Sequence, residues 1–235
     1  MQRQKLIEYL RPEGLLLADE QAEAFVRYYE LLVEWNSRMN LTGITEPDEV
    51  MVKHFADSLW GMHPRGRVLD VGSGAGFPGL PLAIAWPEAE FVLMDSLGKR
   101  VNFLNAVIGE LGLGNVKAIH ARAEELARQP EHREAYELVV SRAVSRLNIL
   151  SEYCLPFVRV GGEFVAYKSA EYMQGEESAE AAAAIKLLGG CLAEEQTVKL
   201  PGQDYARVLV HIRKEEKTPK KYPRKAGTPA KEPLK

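Results

Sequence analysis

The segment Asp70-Val71-Gly72-Ser73-Gly74-Ala75-Gly76-Phe77-Pro78 constrains the fold of this chain more than any other. A short β-branched run, Arg67–Val71, leads into it, and an apolar segment with helical periodicity, 79–86, follows. Glycines at a strand-to-helix turn let the backbone bend tightly and leave room for a ligand to approach. The same alternation continues downstream. Glu90–Asp95, Val116–His120, Glu137–Ser141 and Glu163–Lys168 read as strands, and segments 97–112, 121–129 and 145–157 between them read as helices. Strands alternating with helices imply a mostly parallel sheet covered on both faces. A helix over 171–189 is followed by two strand candidates, 192–199 and 205–213, with only a Pro201-Gly202 turn between them. They should form an antiparallel hairpin at the sheet edge. The expectation is an α/β fold with a seven-stranded, mostly parallel sheet whose last strand runs antiparallel, spanning 64–213.

Residues 1–63 read as a helical extension. Ala22, Phe25, Tyr28, Leu32, Trp35 and Met39 recur at three- and four-residue spacing on one helix face. Asp19 is the expected N-cap, and Asn40-Leu41-Thr42-Gly43 the stop. A further helix should start near Pro47 and carry His54 and Asp57 on one face, as a ligand-facing pair or as satisfied core groups. Residues 214–235 are Lys/Pro-rich and read as an extended tail. From Arg213 to Lys225 there are seven basic and two acidic residues, a local +5 against a net charge of −3, so the rest carries about −8. Any polyanion contact should therefore be local. There is no apolar run long enough for a membrane span and no signal-peptide pattern. Cys154 and Cys191 make neither a disulfide framework nor a metal pair. A cytoplasmic monomer without a metal site is expected.

In open α/β sheets ligands bind outside the carboxyl ends of the strands. The G-x-G-x-G spacing of Gly72, Gly74 and Gly76 is out of phase with the dinucleotide fingerprint, which tilts the ligand from a pyrophosphate toward S-adenosyl-L-methionine. Asp70 suits the cationic amino acid end of that cofactor and would repel phosphates. Asp95, ending the second strand, can accept hydrogen bonds from both ribose hydroxyls, and Arg122-Ala123-Glu124 lies where an adenine would sit. The fourth strand's tip reads Ser141-Arg142-Ala143-Val144-Ser145-Arg146. It has no Asn/Asp-Pro-Pro-aromatic motif for amine methylation and no cysteine for covalent attack. Its arginines suit guanine edges or phosphates. Guanine N7 carries a lone pair and no proton, so its methylation needs positioning rather than a base. Arg142 is the candidate donor to O6, with Arg146 and Lys168 as competitors. Lys220, Lys221, Arg224 and Lys225, interleaved with Tyr222, are candidate RNA contacts. Two other readings stay open: a nicotinamide-dependent oxidoreductase, and a non-catalytic RNA-binding or assembly factor.

Several segments together resemble the RsmG (GidB) family of bacterial 16S rRNA guanine-N7 methyltransferases. They are Trp35–Thr42, Lys53–Leu59, Asp70–Pro78, Asp95–Arg100, Ser141–Ser145 and Lys220–Lys225, in the family's order over nearly the whole chain. The resemblance implies a class I methyltransferase (Rossmann-like) fold with a helical N-terminal extension. It implies methylation of a guanosine in the 530 loop of 16S rRNA, naked or in an assembling particle. It implies cofactor contacts at Gly72, Phe77, Asp95, Ser96, Leu97, Ala123, Glu124 and Arg142. The family's usual Lys-Pro-Gly-Thr-Pro ending reads Lys225-Ala226-Gly227-Thr228-Pro229 here.

Overall fold

Seven strands form one sheet: β1 (Arg67–Val71), β2 (Glu90–Asp95), β3 (Val116–His120), β4 (Tyr136–Arg142), β5 (Val158–Ser169), β6 (Gly190–Val198) and β7 (Arg207–Lys214). The structure, a computed structural model, describes residues 3–11, 14–204 and 206–235. Parts of the expected helical extension (1, 2, 12 and 13) and Tyr205 of the expected last strand lie outside them. The strand order is β3-β2-β1-β4-β5-β7-β6. The pairs among β1 to β5 are parallel, and β7 runs antiparallel between β5 and β6. The expected hairpin thus forms at the edge with its second strand turned inward.

The period-two pattern sorts side chains into two cores. Val68, Leu93, Val140 and Val165 face one, with Leu80 and Phe103. Leu69, Val92, Val139 and Phe164 face the other, with Leu147 and Ile185. Burial on both faces is what parallel strands require.

The extension comprises α1 (Arg3–Leu10), α2 (Asp19–Met39), α3 (Pro47–Val50), a π-helical turn (Met51–Ala56) and α4 (Asp57–Leu59). It packs on the first core. Tyr28 and Phe77 rings lie 5.6 Å apart, as do Trp35 and Phe103. Asn40 ends α2 in the left-handed region, as expected. Asp19 sits in the first turn instead of capping it. The cap is Ala18, whose N–H donates to the Gln21 side chain at 2.8 Å. The π-helical turn was not foreseen, because an extra residue per turn leaves no mark on a short apolar pattern.

The sheet helices are α5 (Gly79–Ala85), α6 (Gly98–Glu110), α7 (Ala123–Leu126), α8 (Leu147–Cys154) and α9 (Glu177–Leu187). The helix expected over 171–189 is split into a 3-10 turn, Ala170–Gln174, and α9, with Gly175 at the break. The terminal segment is not an extended tail. It packs along α7 and α8, burying Thr218 and Tyr222, and ends in α10 (Thr228–Lys231). Two of its charges are satisfied internally. The buried Lys214 ammonium donates to Leu155 O at 2.7 Å, and Arg224 pairs with the buried Glu152. Among the described residues no helix is long and apolar enough to cross a membrane.

Candidate active site

The sheet reverses its order between β1 and β4, and the crevice there opens at the carboxyl ends of both strands. Gly72, Gly74 and Gly76, in the loop after β1, all have positive φ, of 76°, 59° and 98°. Two of them show distinct needs. A Cβ on Gly76 would lie 2.6 Å from the Tyr28 hydroxyl and 2.4 Å from Leu80, so this residue is pinned under the extension. A Cβ on Gly74 would meet nothing closer than 3.9 Å, so that part of the loop faces open space and leaves its backbone approachable.

Asp70 is fully buried at the end of β1. Its Oδ2 accepts the Gly79 N–H at 3.0 Å, while Oδ1 has no partner among the described residues. Burial pushes its pKa up from 3.8 to about 7. The native state therefore holds a proton that the unfolded chain releases near 4, and the stability this contributes disappears as pH rises toward 7. A cationic ligand group beside Oδ1 would favour the ionised form. Binding of the aminocarboxypropyl end of the cofactor should then expel a proton near pH 7. Calorimetry in buffers of different ionisation enthalpy should read this release for the native chain and lose it in Asp70→Asn. Equal proton release by both proteins would contradict the placement.

Asp95 at the end of β2 is almost fully buried. Its Oδ2 accepts the Gly74 N–H at 2.9 Å and its Oδ1 accepts the Leu97 N–H at 2.8 Å, with Arg100 at 3.3 Å. It ties the glycine loop to the turn before α6. A carboxylate offers about four acceptor positions, so capacity remains for a ribose hydroxyl. Arg100 lies within the Asp95–Arg100 segment of the resemblance, but the sequence gives it no role of its own.

Between the tips of β1, β2 and β3 lies a cavity of about 250 Å³ lined by Gly72, Asp95, Ser96, Ala123, Glu124, Val144 and Tyr153, with Gly227 and Ala230 from the terminal segment. At its edge the apolar side chains of Leu97 and Val144 are 44% and 40% exposed, as expected of surfaces that a ligand covers. The buried Glu124 accepts the Gly227 N–H at 2.8 Å. An apolar-walled niche with a buried carboxylate suits an adenosine group. Together, the open Gly74 and this niche fit S-adenosyl-L-methionine; Asp70, Gly74 and Gly76 do not line the cavity themselves, and Asp70 lies fully buried behind the glycine loop with its unpartnered oxygen. Phe77 does not line the cavity; its ring lies beneath His54, at 4.4 Å, and beneath the Arg142 guanidinium, at 5.0 Å.

Beside this cavity, past the tip of β4, a larger cleft of about 600 Å³ is lined by His54, Asp57, Arg142, Tyr167, Lys168 and Arg207, among others. Asp57, its side chain wholly buried, accepts Arg142 Nη1 and Arg207 Nε, each at 2.7 Å. His54 Nε2 lies 2.8 Å from the Thr42 hydroxyl, and its Nδ1 lies 3.1 Å from Lys53 O and 3.4 Å from Arg142. Burial and the neighbouring Arg142 charge lower the His54 pKa to about 4, so the ring is neutral at pH 7. The expected His54/Asp57 pair thus holds Arg142 in place from the extension. Ala143, next along, is held at φ 57°, a strained value for a residue with a Cβ.

The other predicted cations separate into two groups. Arg146 pairs with Glu180 and Lys168 with Glu177, both on α9, at the rim of the cleft. Arg224 is committed to Glu152, whereas Lys220, Lys221 and Lys225 are exposed. Arg207 was missed because it reaches the site only through the β5–β7 pairing, which no local spacing reveals. Among the described residues no group of three or more His, Cys, Asp or Glu side chains could hold a metal ion.

The sequence profile of the family described as GidB, rRNA small subunit methyltransferase G, matches residues 21–200. The chain belongs to this family. It is 48% identical over 239 residues to Ribosomal RNA small subunit methyltransferase G of Exiguobacterium sibiricum, covering 100% of both chains. It is 51% identical over 233 residues to the protein of the same name from Lachnoclostridium phytofermentans, covering 97% of this chain and 96% of that one. Among solved structures, M. jannaschii TYW2 in complex with AdoMet superposes with a TM-score of 0.56 at 15% identity, over 73% of this chain and 79% of that one. The predicted O-methyltransferase Atu636 from Agrobacterium tumefaciens gives 0.51 at 20% identity, over 67% and 78%. These two likenesses concern the fold. The GidB placement, in contrast, rests on sequence across the whole chain and makes this protein an rRNA methyltransferase.

Proposed function

We propose that the protein transfers the methyl group of S-adenosyl-L-methionine to N7 of a guanine in the 530 loop of 16S rRNA. The sulfonium supplies an activated methyl and a neutral leaving group. The protein's task is to hold the guanine in line with it and to exclude other geometries. The observation that carries the reading is Arg142. It stands at the β4 tip in the wall of the large cleft, two residues before Val144 of the smaller cavity, and Asp57 fixes its orientation. A guanidinium there can donate to guanine O6 while N7 points at the methyl. No proton acceptor is needed. The nearby His54 has both ring nitrogens engaged, as suits that chemistry.

The choice of the 530 loop rests on the family resemblance. The exposed Lys220, Lys221 and Lys225 are assigned to backbone phosphates, where each adds to a salt-sensitive attraction. Two free thiols, on Cys154 and Cys191, agree with a cytoplasmic setting, and the site is complete within one chain, in keeping with a monomer. The nicotinamide reading lacks support, since two buried carboxylates flank the loop where a pyrophosphate would lie.

Incubation with labelled S-adenosyl-L-methionine and 16S rRNA, naked and in small subunits, should label one guanosine. Reduction followed by aniline cleavage, which breaks the chain at 7-methylguanosine, should map the label to the 530 loop. Label that survives this treatment uncleaved would show a different target atom, and no label in either RNA would overturn the reading.

A further inference from the structure

The terminal segment enters the site in a way that its composition does not suggest. Arg224 is clamped on the buried Glu152, with its N–H at 2.7 Å and its guanidinium at 2.6 to 3.1 Å. Upstream, Arg133 donates to Thr218 O at 2.8 Å and to Tyr222 O at 2.9 Å, and Arg128 donates to Pro223 O at 2.6 Å. Downstream, Asn148 donates to Leu234 O at 3.2 Å. Between these anchors the chain turns at Gly227, with φ 82°, and places Gly227 and Ala230 along the 250 Å³ cavity opposite Gly72 and Asp95.

The contact that seats this turn is the Gly227 N–H on Glu124, at 2.8 Å. Glu124 is itself a buried lining residue of the cavity. A single carboxylate therefore belongs both to the niche and to its terminal wall.

We infer that residues 227–231 are a working part of the cofactor site, forming the outer wall against the adenosine end and gaining order as the cofactor gains affinity. The inference rests on the assignment of S-adenosyl-L-methionine to this cavity. Its physical basis is reciprocity: if the docked wall tightens binding, bound cofactor must hold the wall docked by the same factor. The wall is suited to that role. It meets the rest of the site through one backbone hydrogen bond and small side chains, while strong anchors on either side keep it nearby and limit the entropy lost on closing. The same turn follows the exposed Lys220, Lys221 and Lys225 along the chain, so a phosphate backbone held by those lysines would sit beside the donor.

The test uses S-adenosylhomocysteine, the demethylated product. Its affinity is measured by calorimetry on the full chain and on a variant ending at Ala226, which keeps the Arg224–Glu152 clamp. The truncated chain should bind about tenfold more weakly or worse. In the full chain, S-adenosylhomocysteine should slow amide hydrogen exchange across 227–231 by about tenfold while leaving 218–224 unchanged. This second measurement decides the matter if truncation unfolds the protein. Exchange at 227–231 unaffected by ligand would overturn the inference, as would equal affinity of both chains. If the full chain binds no S-adenosylhomocysteine at all, the cofactor assignment itself falls and the inference with it.

Discussion

Arg142→Ala should slow single-turnover methyl transfer to small-subunit rRNA by about 10²-fold, the cost of losing orientation at the reacting atoms. The guanidinium lines the large cleft and not the adenosine cavity, so the loss should fall on the methyl-transfer rate far more than on affinity for S-adenosylhomocysteine. Arg142→Lys should rescue little. An ammonium cannot hold the Asp57 carboxylate at 2.7 Å and present a second, fixed donor to a guanine edge. Retention of near-native single-turnover rates by Arg142→Ala would remove this residue from the reacting centre.

The second large effect concerns stability as well as turnover. Asp57→Ala should destabilise the fold by about 3 kcal/mol, the low end of the cost of breaking a buried ion pair. The low end applies because Arg207 is 32% exposed and can partly rehydrate, whereas Arg142, at 14%, cannot. The two guanidiniums would be left side by side without their shared counter-charge, and the cleft wall would loosen. Urea unfolding at constant m-value should show the loss as a lower midpoint, and methyl transfer should fall with it. Asp57→Asn retains an acceptor and should recover part of the stability but little of the rate. An unchanged midpoint for Asp57→Ala would mean that the extension does not brace the site through this residue.

The chain's alternation and its glycine spacing carried the sheet and the positions of Asp70 and Asp95 near strand ends, because each depends on a local pattern. Asp70 and Asp95 end strands whose limits periodicity alone defines, and Gly74 and Gly76 differ in role only through what surrounds them. What escaped was long-range. Arg207 joins the site by strand pairing, Tyr153 by the packing of α8, and Gly227 by a segment whose lysines and prolines resemble a solvated tail. That segment folds onto the body because buried carboxylates, Glu152 and Glu124, await its N–H groups. Nothing in the spacing of either glutamate announces such a partner. His54 and Asp57 were legible as a pair, but their purpose, holding Arg142 from another element, required the structure.

We propose that the cavity at the tips of β1, β2 and β3 seats the donor, with the buried Asp70 behind it and the methyl turned toward Arg142. A crystal structure with S-adenosylhomocysteine bound tests it directly. The adenine is expected beside Glu124 and Gly227, the ribose on Asp95 and the amino group on the side of Asp70 Oδ1, with sulfur at the mouth of the large cleft. Ligand density lying instead along α9, or with the amino acid end turned toward Glu124, would contradict it.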